Sequence, residues 1–116
     1  MSQTSCRTAH AVRKERAVYM VIRRYEDVDR RYAEQSVERN RETLVPLLSQ
    51  QPGFIAYYTM EAEDGVVVSI GVYESREEAE RSNRIAAEWT RANSSEFVRK
   101  PPRVTAGEVL VYRARE

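Results

Sequence analysis

Residues 80 to 97, ERSNRIAAEWTRANSSEF, carry Ser82, Asn83, Ala86, Trp89, Thr90 and Asn93 along one side of a helix when successive residues are set about 100° apart. Glu77, Glu80, Arg84, Glu88 and Arg91 fall on the opposite arc, which is the solvent face. The inward arc, which also holds Ala79, is small and polar around a single indole. Buried amides and hydroxyls cost about 1–3 kcal/mol each when unpaired, so an inward face carrying several of them requires partners. Backbone groups, waters or a ligand can supply those partners, and small side chains leave room for the last. Two readings stand side by side: a cavity lining, or Ser and Asn side chains that bond their own helix while Trp89 fills a core.

Strand residues can enter the same space. Tyr19, Tyr57, Tyr58, Tyr73, Arg23 and Arg103 all lie in strand-like segments, where packing or an exposed ion pair is the ordinary role of each. Arg23 and Arg24 stand beside Glu26, Asp27 and Asp29, and those acids are their default partners. One chemistry open to donors of this kind, beside plain ligand binding, is an oxidation that the substrate itself drives. An electron-rich phenol or quinol, once deprotonated, can reduce dioxygen with no metal or flavin, provided a protein binds it, shields it from water and stabilises its anion. Asn83, Trp89 and an arginine are donors of the right types, and Tyr19, Arg23, Tyr57, Tyr73, Ser82, Ala86 and Thr90 would line the substrate. No clear base accompanies them. The inward face has no carboxylate, and the sole histidine, His10, stands in the polar first sixteen residues. A sufficiently acidic substrate needs none.

The elements that must position these residues follow from pattern. The chain has 116 residues, enough for one domain, with 19 basic and 18 acidic side chains, so no strong field draws nucleic acid or an anionic membrane. Residues 1 to 16 read as a flexible tail and 17 to 116 as the domain. Cys6 is alone, no Cys/His cluster offers a metal site, and no apolar run is long enough to cross a bilayer, so the expected setting is the cytoplasm. No Gly-rich phosphate loop, HExxH, GxSxG or EF-hand occurs.

Ala17 to Tyr25, rich in β-branched and aromatic residues, predicts a strand. A helix should begin near Asp27 or Asp29 and run to about Gln50, with Ala33, Val37, Leu44 and Leu48 on one stripe and Arg41 filling its gap. Pro46 should loosen its last turn, and Pro52-Gly53 should end it. Phe54 to Glu61 and Val66 to Glu74 read as strands joined by a turn holding Asp64 and Gly65. Ser75 with Glu78 forms a capping-box pattern that opens the second helix, which should reach about Asn93. After Lys100-Pro101-Pro102, Arg103 to Tyr112 should be the last strand.

The order is β-α-β-β-α-β, the ferredoxin-like α+β arrangement, with two helices on one face of a four-stranded antiparallel sheet. The other face is left bare, yet every strand is apolar on both sides. A second copy of the chain, packed sheet against sheet, is the expected cover. RNA-recognition domains share this order, but the strand VVVSIGVY lacks their pattern of Gly followed by paired aromatics and the charge is balanced, so nucleic acid is not an expected partner.

Gln51-Pro52-Gly53-Phe54 before a strand, Tyr73-Glu74-Ser75-Arg76-Glu77-Glu78-Ala79 entering a helix, and the final strand resemble the antibiotic biosynthesis monooxygenase (ABM) domain family of the dimeric α+β barrel superfamily. The resemblance runs from about Ala17 to Tyr112. It implies a homodimer, a cavity between sheet and helices, and an oxygenase that acts on a small aromatic or quinol-type substrate without a cofactor; the alternative is a binding protein of the same fold that turns nothing over. Haem-degrading members resemble one another in an Asn on the first strand and in a Trp and a His in the second half. Here the first strand has no Asn and no His follows position 10, which removes the usual axial ligand and disfavours haem. Where the family often has a His, this chain has Ser82 and Asn83, and Asn cannot shuttle protons at neutral pH.

Overall fold

A computed structural model describes residues 17–115; the expected tail, with Cys6 and His10, lies outside the described residues. The strands are β1 (Tyr19–Tyr25), β2 (Phe54–Glu63), β3 (Val66–Tyr73) and β4 (Arg103–Glu108). They form one antiparallel sheet in the order β2-β3-β1-β4. That order places the first and third strands in the middle, as the split βαβ pattern requires. The last strand is shorter than the expected Arg103 to Tyr112, because β4 pairs with β1 only as far as Glu108. Beyond it Leu110 and Val111 are 89% and 87% exposed.

The first helix is the main departure from the sequence pattern. It is broken into α1 (Tyr32–Gln35), α2 (Val37–Arg39), a π turn (Asn40–Leu44) and α3 (Val45–Ser49). Its buried side chains are Ser36, Asn40, Leu44 and Leu48, four residues apart, so the expected stripe holds at Leu44 and Leu48 but not at Val37 and Arg41. Steps of four overshoot an α-helical turn by roughly 40° each, so such a stripe would wind away from the sheet. A π turn widens the coil and holds Asn40 and Leu44 on one side. Pro46 sits at the start of α3, where the ring that cannot complete an α-helical bond meets the end of the wider turn.

The α4 helix (Arg76–Asn93) keeps its expected length. Ser75 is its cap, accepting from the Glu78 backbone N–H at 3.2 Å. The Glu78 carboxylate lies over Gly53, whose φ of 79° and missing Cβ make that approach feasible. Gly65, also at φ 79°, closes the tight turn between β2 and β3.

The helices cover one face of the sheet only. Leu44, Leu48, Ala86 and Trp89 form one buried cluster, with Phe54, Tyr57 and Ile85 against it. Val21, Tyr73 and Ala79 form a second, and Tyr25, Val28 and Val67 a third at the far end of the sheet. On the opposite face the register aligns Met20, Ile22 and Ile70, which are half-buried, and Val68 and Val72, which are buried, with Tyr58 and Met60 of β2. Tyr58 and Met60 are 61% and 52% exposed.

Candidate functional site

Strand parity decides which arginine turns inward. Alternate residues of β1 point to opposite faces, so Arg23 shares the covered face with Val21 and Tyr25, while Arg24 shares the bare one with Ile22. Arg24 takes the expected acidic partner, with Nε 3.0 Å from Glu26 Oε2. Arg23 does not. It is 4% exposed, and its Nη1 donates to Asn83 Oδ1 of α4 at 3.1 Å. No carboxylate pairs with it among the described residues, and its Nε has no acceptor. Sequence proximity to Glu26, Asp27 and Asp29 counts for nothing once the side chain points the other way.

Arg23 lines a small cavity between the sheet and the first helical arm. The floor is built by Arg23 and Tyr25 of β1, Val67 and Ser69 of β3, and Tyr57 and Thr59 of β2. Tyr32, Asn40 and Leu44 lie over it, with Thr90 of α4. Val28 and Val98, which bridge the segments before the first helix and after α4, close its far end. The cavity measures about 10 Å³, room for one water molecule. Any larger ligand requires the lining to part.

The lining holds no Asp, Glu or His. Its only formal charge is the guanidinium, which stays protonated at all ordinary pH. Ser69 is cross-strand partner to Arg23, 4% exposed, and its Oγ makes no hydrogen bond. Thr59 Oγ1 donates to the Tyr57 hydroxyl at 2.9 Å, which leaves the Tyr57 proton free to point elsewhere. Burial pushes the Tyr32 phenol up to about 12; the phenols of Tyr57 and Tyr25 add to this, and Asn40 and Arg23 oppose it. At neutral pH Tyr32 is a donor and not a base.

Among the residues singled out in the sequence, Arg23, Tyr57 and Thr90 meet at this cavity, and Asn83 reaches it through Arg23. Trp89 stands in the neighbouring apolar cluster with Ala86, its Nε1 donating to Thr43 Oγ1 at 2.8 Å. Asn93 bonds its own helix, Nδ2 to the Trp89 carbonyl at 3.0 Å. Ser82 is fully buried with its Oγ unpaired, near Tyr73 but outside hydrogen-bonding geometry. Burial raises the Tyr73 phenol above its ordinary range. Tyr19 lies away from the cavity, in an open groove with Arg76 and Glu80 beside β4. Arg103, on the bare face across from Arg24, also lies outside it.

Sequence reasoning missed Tyr25, Tyr32, Asn40 and Ser69 as lining residues. Parity about Arg23 points to Tyr25, and an Asn eight residues after Tyr32 is a signal only when the coil between them is known.

A family profile described as "Antibiotic biosynthesis monooxygenase" matches residues 18–92, which include β1, the first helical arm, the hairpin and nearly all of α4. The chain belongs to the antibiotic biosynthesis monooxygenase family. No functionally curated protein matches its sequence. Solved structures share the ABM fold at low identity. A monooxygenase from the ActVA-Orf6 gene of Streptomyces coelicolor, in complex with nanaomycin D, is 18% identical with a TM-score of 0.68, covering 87% of this chain and 95% of that one. Rv0793 from Mycobacterium tuberculosis is 21% identical at a TM-score of 0.63, covering 84% of this chain and 99% of that one. NE2512 from Nitrosomonas europaea, a protein of unknown function, is 14% identical at 0.65, covering 88% and 98%. These likenesses establish the α+β sheet-and-helix architecture. Among the described residues, no helix is long and apolar enough to cross a membrane.

Proposed function

We propose that this ABM-family chain is an oxygenase that needs no bound cofactor and acts on a small phenol, anthrone or quinol. The observation that carries the reading is a buried guanidinium without a carboxylate partner, facing a cavity that holds donors and no base. Such a site stabilises an organic anion and leaves the redox chemistry to the substrate. With an anthrone-type substrate the atoms balance simply. The ring carbanion gives electrons to dioxygen, a C–O bond forms, the peroxide takes a proton from solvent, and loss of the remaining methylene proton as the O–O bond breaks releases the distal oxygen as water and yields a carbonyl. Arg23 and Asn83 hold the anion's environment fixed, while Tyr57 and Thr90 bound the ring. The complex of the Streptomyces coelicolor monooxygenase with nanaomycin D supports a small-molecule ligand for this fold.

The active form in this reading is a homodimer. Met20, Ile22 and Ile70 are only half-buried on the sheet face opposite the helices, Tyr58 and Met60 of β2 are exposed there, and Leu110 and Val111 stand clear of the chain's own core. A second copy buries both sets.

Oxygen uptake with a panel of anthrones and quinols in air tests the function. Uptake that depends on Arg23 and Asn83 is the expected result. Saturable binding of the same compounds without uptake would make the protein a binding module of the same fold.

A further inference from the structure

We infer that the cavity takes planar aromatic monoanions, ionised before they enter, with the charged oxygen seated between Arg23 Nε and the Ser69 hydroxyl. This rests on the reading of the cavity as the ligand site, and it narrows the substrate class from phenols in general to those that are already anions at neutral pH.

Three features combine. The Arg23 guanidinium is buried and cannot shed its proton, so its charge must be met by an acceptor. Asn83 meets it at Nη1 with a neutral oxygen, which satisfies one N–H without cancelling the charge. The Nε N–H is left over, and directly across the strand the Ser69 Oγ is left over too. Cross-strand partners on one face hold their Cβ atoms about 5 Å apart, so a single oxygen can take both donors.

The lining then sets sign and shape. With no Asp or Glu around it, the cavity carries one uncancelled positive charge, which favours a monoanion over a neutral ligand and over a dianion. Tyr25, Tyr32 and Tyr57 give the lining three aromatic side chains, which suit a flat ligand. A site with no base selects ligands that need none, and the absence of a proton acceptor becomes a specificity device. Widening falls naturally to the arm above the cavity, where Asn40 and Leu44 sit on the π turn and not on a regular helix.

The test is calorimetric binding by the full chain of a hydroxynaphthoquinone, ionised at neutral pH, and of its neutral methyl ether, with a naphthoate as the carboxylate arm. The enolate or the carboxylate should bind about tenfold or more tighter than the ether. Which of the two anions wins identifies the acidic group. Its affinity should fall as pH drops through the ligand's own pKa while that of the ether stays flat. In Arg23→Gln the preference should shrink to about twofold, and Ser69→Ala should lower it part of the way. Equal binding of anion and ether, or an anion preference untouched in folded Arg23→Gln, overturns the inference; should Arg23→Gln fail to fold, the wild-type pH profile alone decides it. Oxygen uptake measured alongside separates the two claims. Anion preference without uptake removes the oxygenase and leaves the anion site, and uptake without anion preference does the reverse.

Discussion

Arg23 of β1 and Asn83 of α4, 60 positions apart, meet at 3.1 Å with the guanidinium donating to the amide oxygen. This contact ties the sheet to the helix above it and fixes the one charge that faces the cavity. Replacing the neutral acceptor by a carboxylate would cancel that charge with little change of shape. Asn83→Asp should therefore keep its stability within about 1 kcal/mol of the parent, since the new ion pair offsets its own burial. Affinity for an aromatic anion should drop about tenfold or more. Asn83→Ala should instead lose about 1–3 kcal/mol, because a second guanidinium N–H goes unmet. Denaturant titration beside ligand binding checks both, and an alanine variant more stable than the aspartate one would refute the assignment.

Trp89 and Thr43 join the same helix to the π turn. Trp89→Phe removes the indole donor and part of the buried ring, and should cost about 1–3 kcal/mol. Thr43→Val should cost roughly 1 kcal/mol by removing the acceptor. Because they share one bond, the double variant should be less destabilised than the sum by about 0.5–1.5 kcal/mol. Strict additivity in urea melts would show that the 2.8 Å contact carries no energy.

Tyr32 links the cavity to alkaline stability. Its folded pKa of about 12 exceeds the ordinary phenol value of 10.0, so the unfolded chain releases this proton first as pH rises. Stability tied to the protonated phenol is fully present below pH 10 and is lost between 10 and 12. The loss amounts to about 2–3 kcal/mol. Tyr73, also raised by burial, adds a loss of the same sign. Thermal melts across this range should fall more steeply for the parent than for Tyr32→Phe; parallel curves would contradict it.

The bare sheet face makes the last prediction. Tyr58 is already exposed in the single chain, so Tyr58→Glu should leave folding almost untouched while it places a charge on the edge strand of any sheet-to-sheet contact, beside Ile70. Light scattering at micromolar concentration should give a dimer for the parent and a monomer for the variant. A parent that is monomeric there has no such interface.

Much of the fold was legible because its signals are short-range. Asp64-Gly65 between two apolar runs gives the hairpin, Ser75 gives the start of α4, and the order of elements leaves few topologies. The cavity was legible only in part. Thr90 and Asn83 follow from the phase of a regular helix, but Arg23 stood among three acids, and nearness along the chain favoured a surface ion pair over burial. Asn40 and Tyr32 depended on a coil that does not keep α-helical phase, so a count by 3.6 residues put Val37 and Arg41 where Ser36 and Asn40 belong.

The sequence by itself determined the set of elements, the two-sided apolar sheet and the alternation within each strand, since these depend on neighbours a few residues away. Only the tertiary structure decided which face of β1 the helices cover, where the first helix widens, and that Arg23 finds an amide and no acid. Those outcomes depend on the register between β1 and β3 and on the seat of α4 across them. Long-range packing sets both, and no local pattern encodes it.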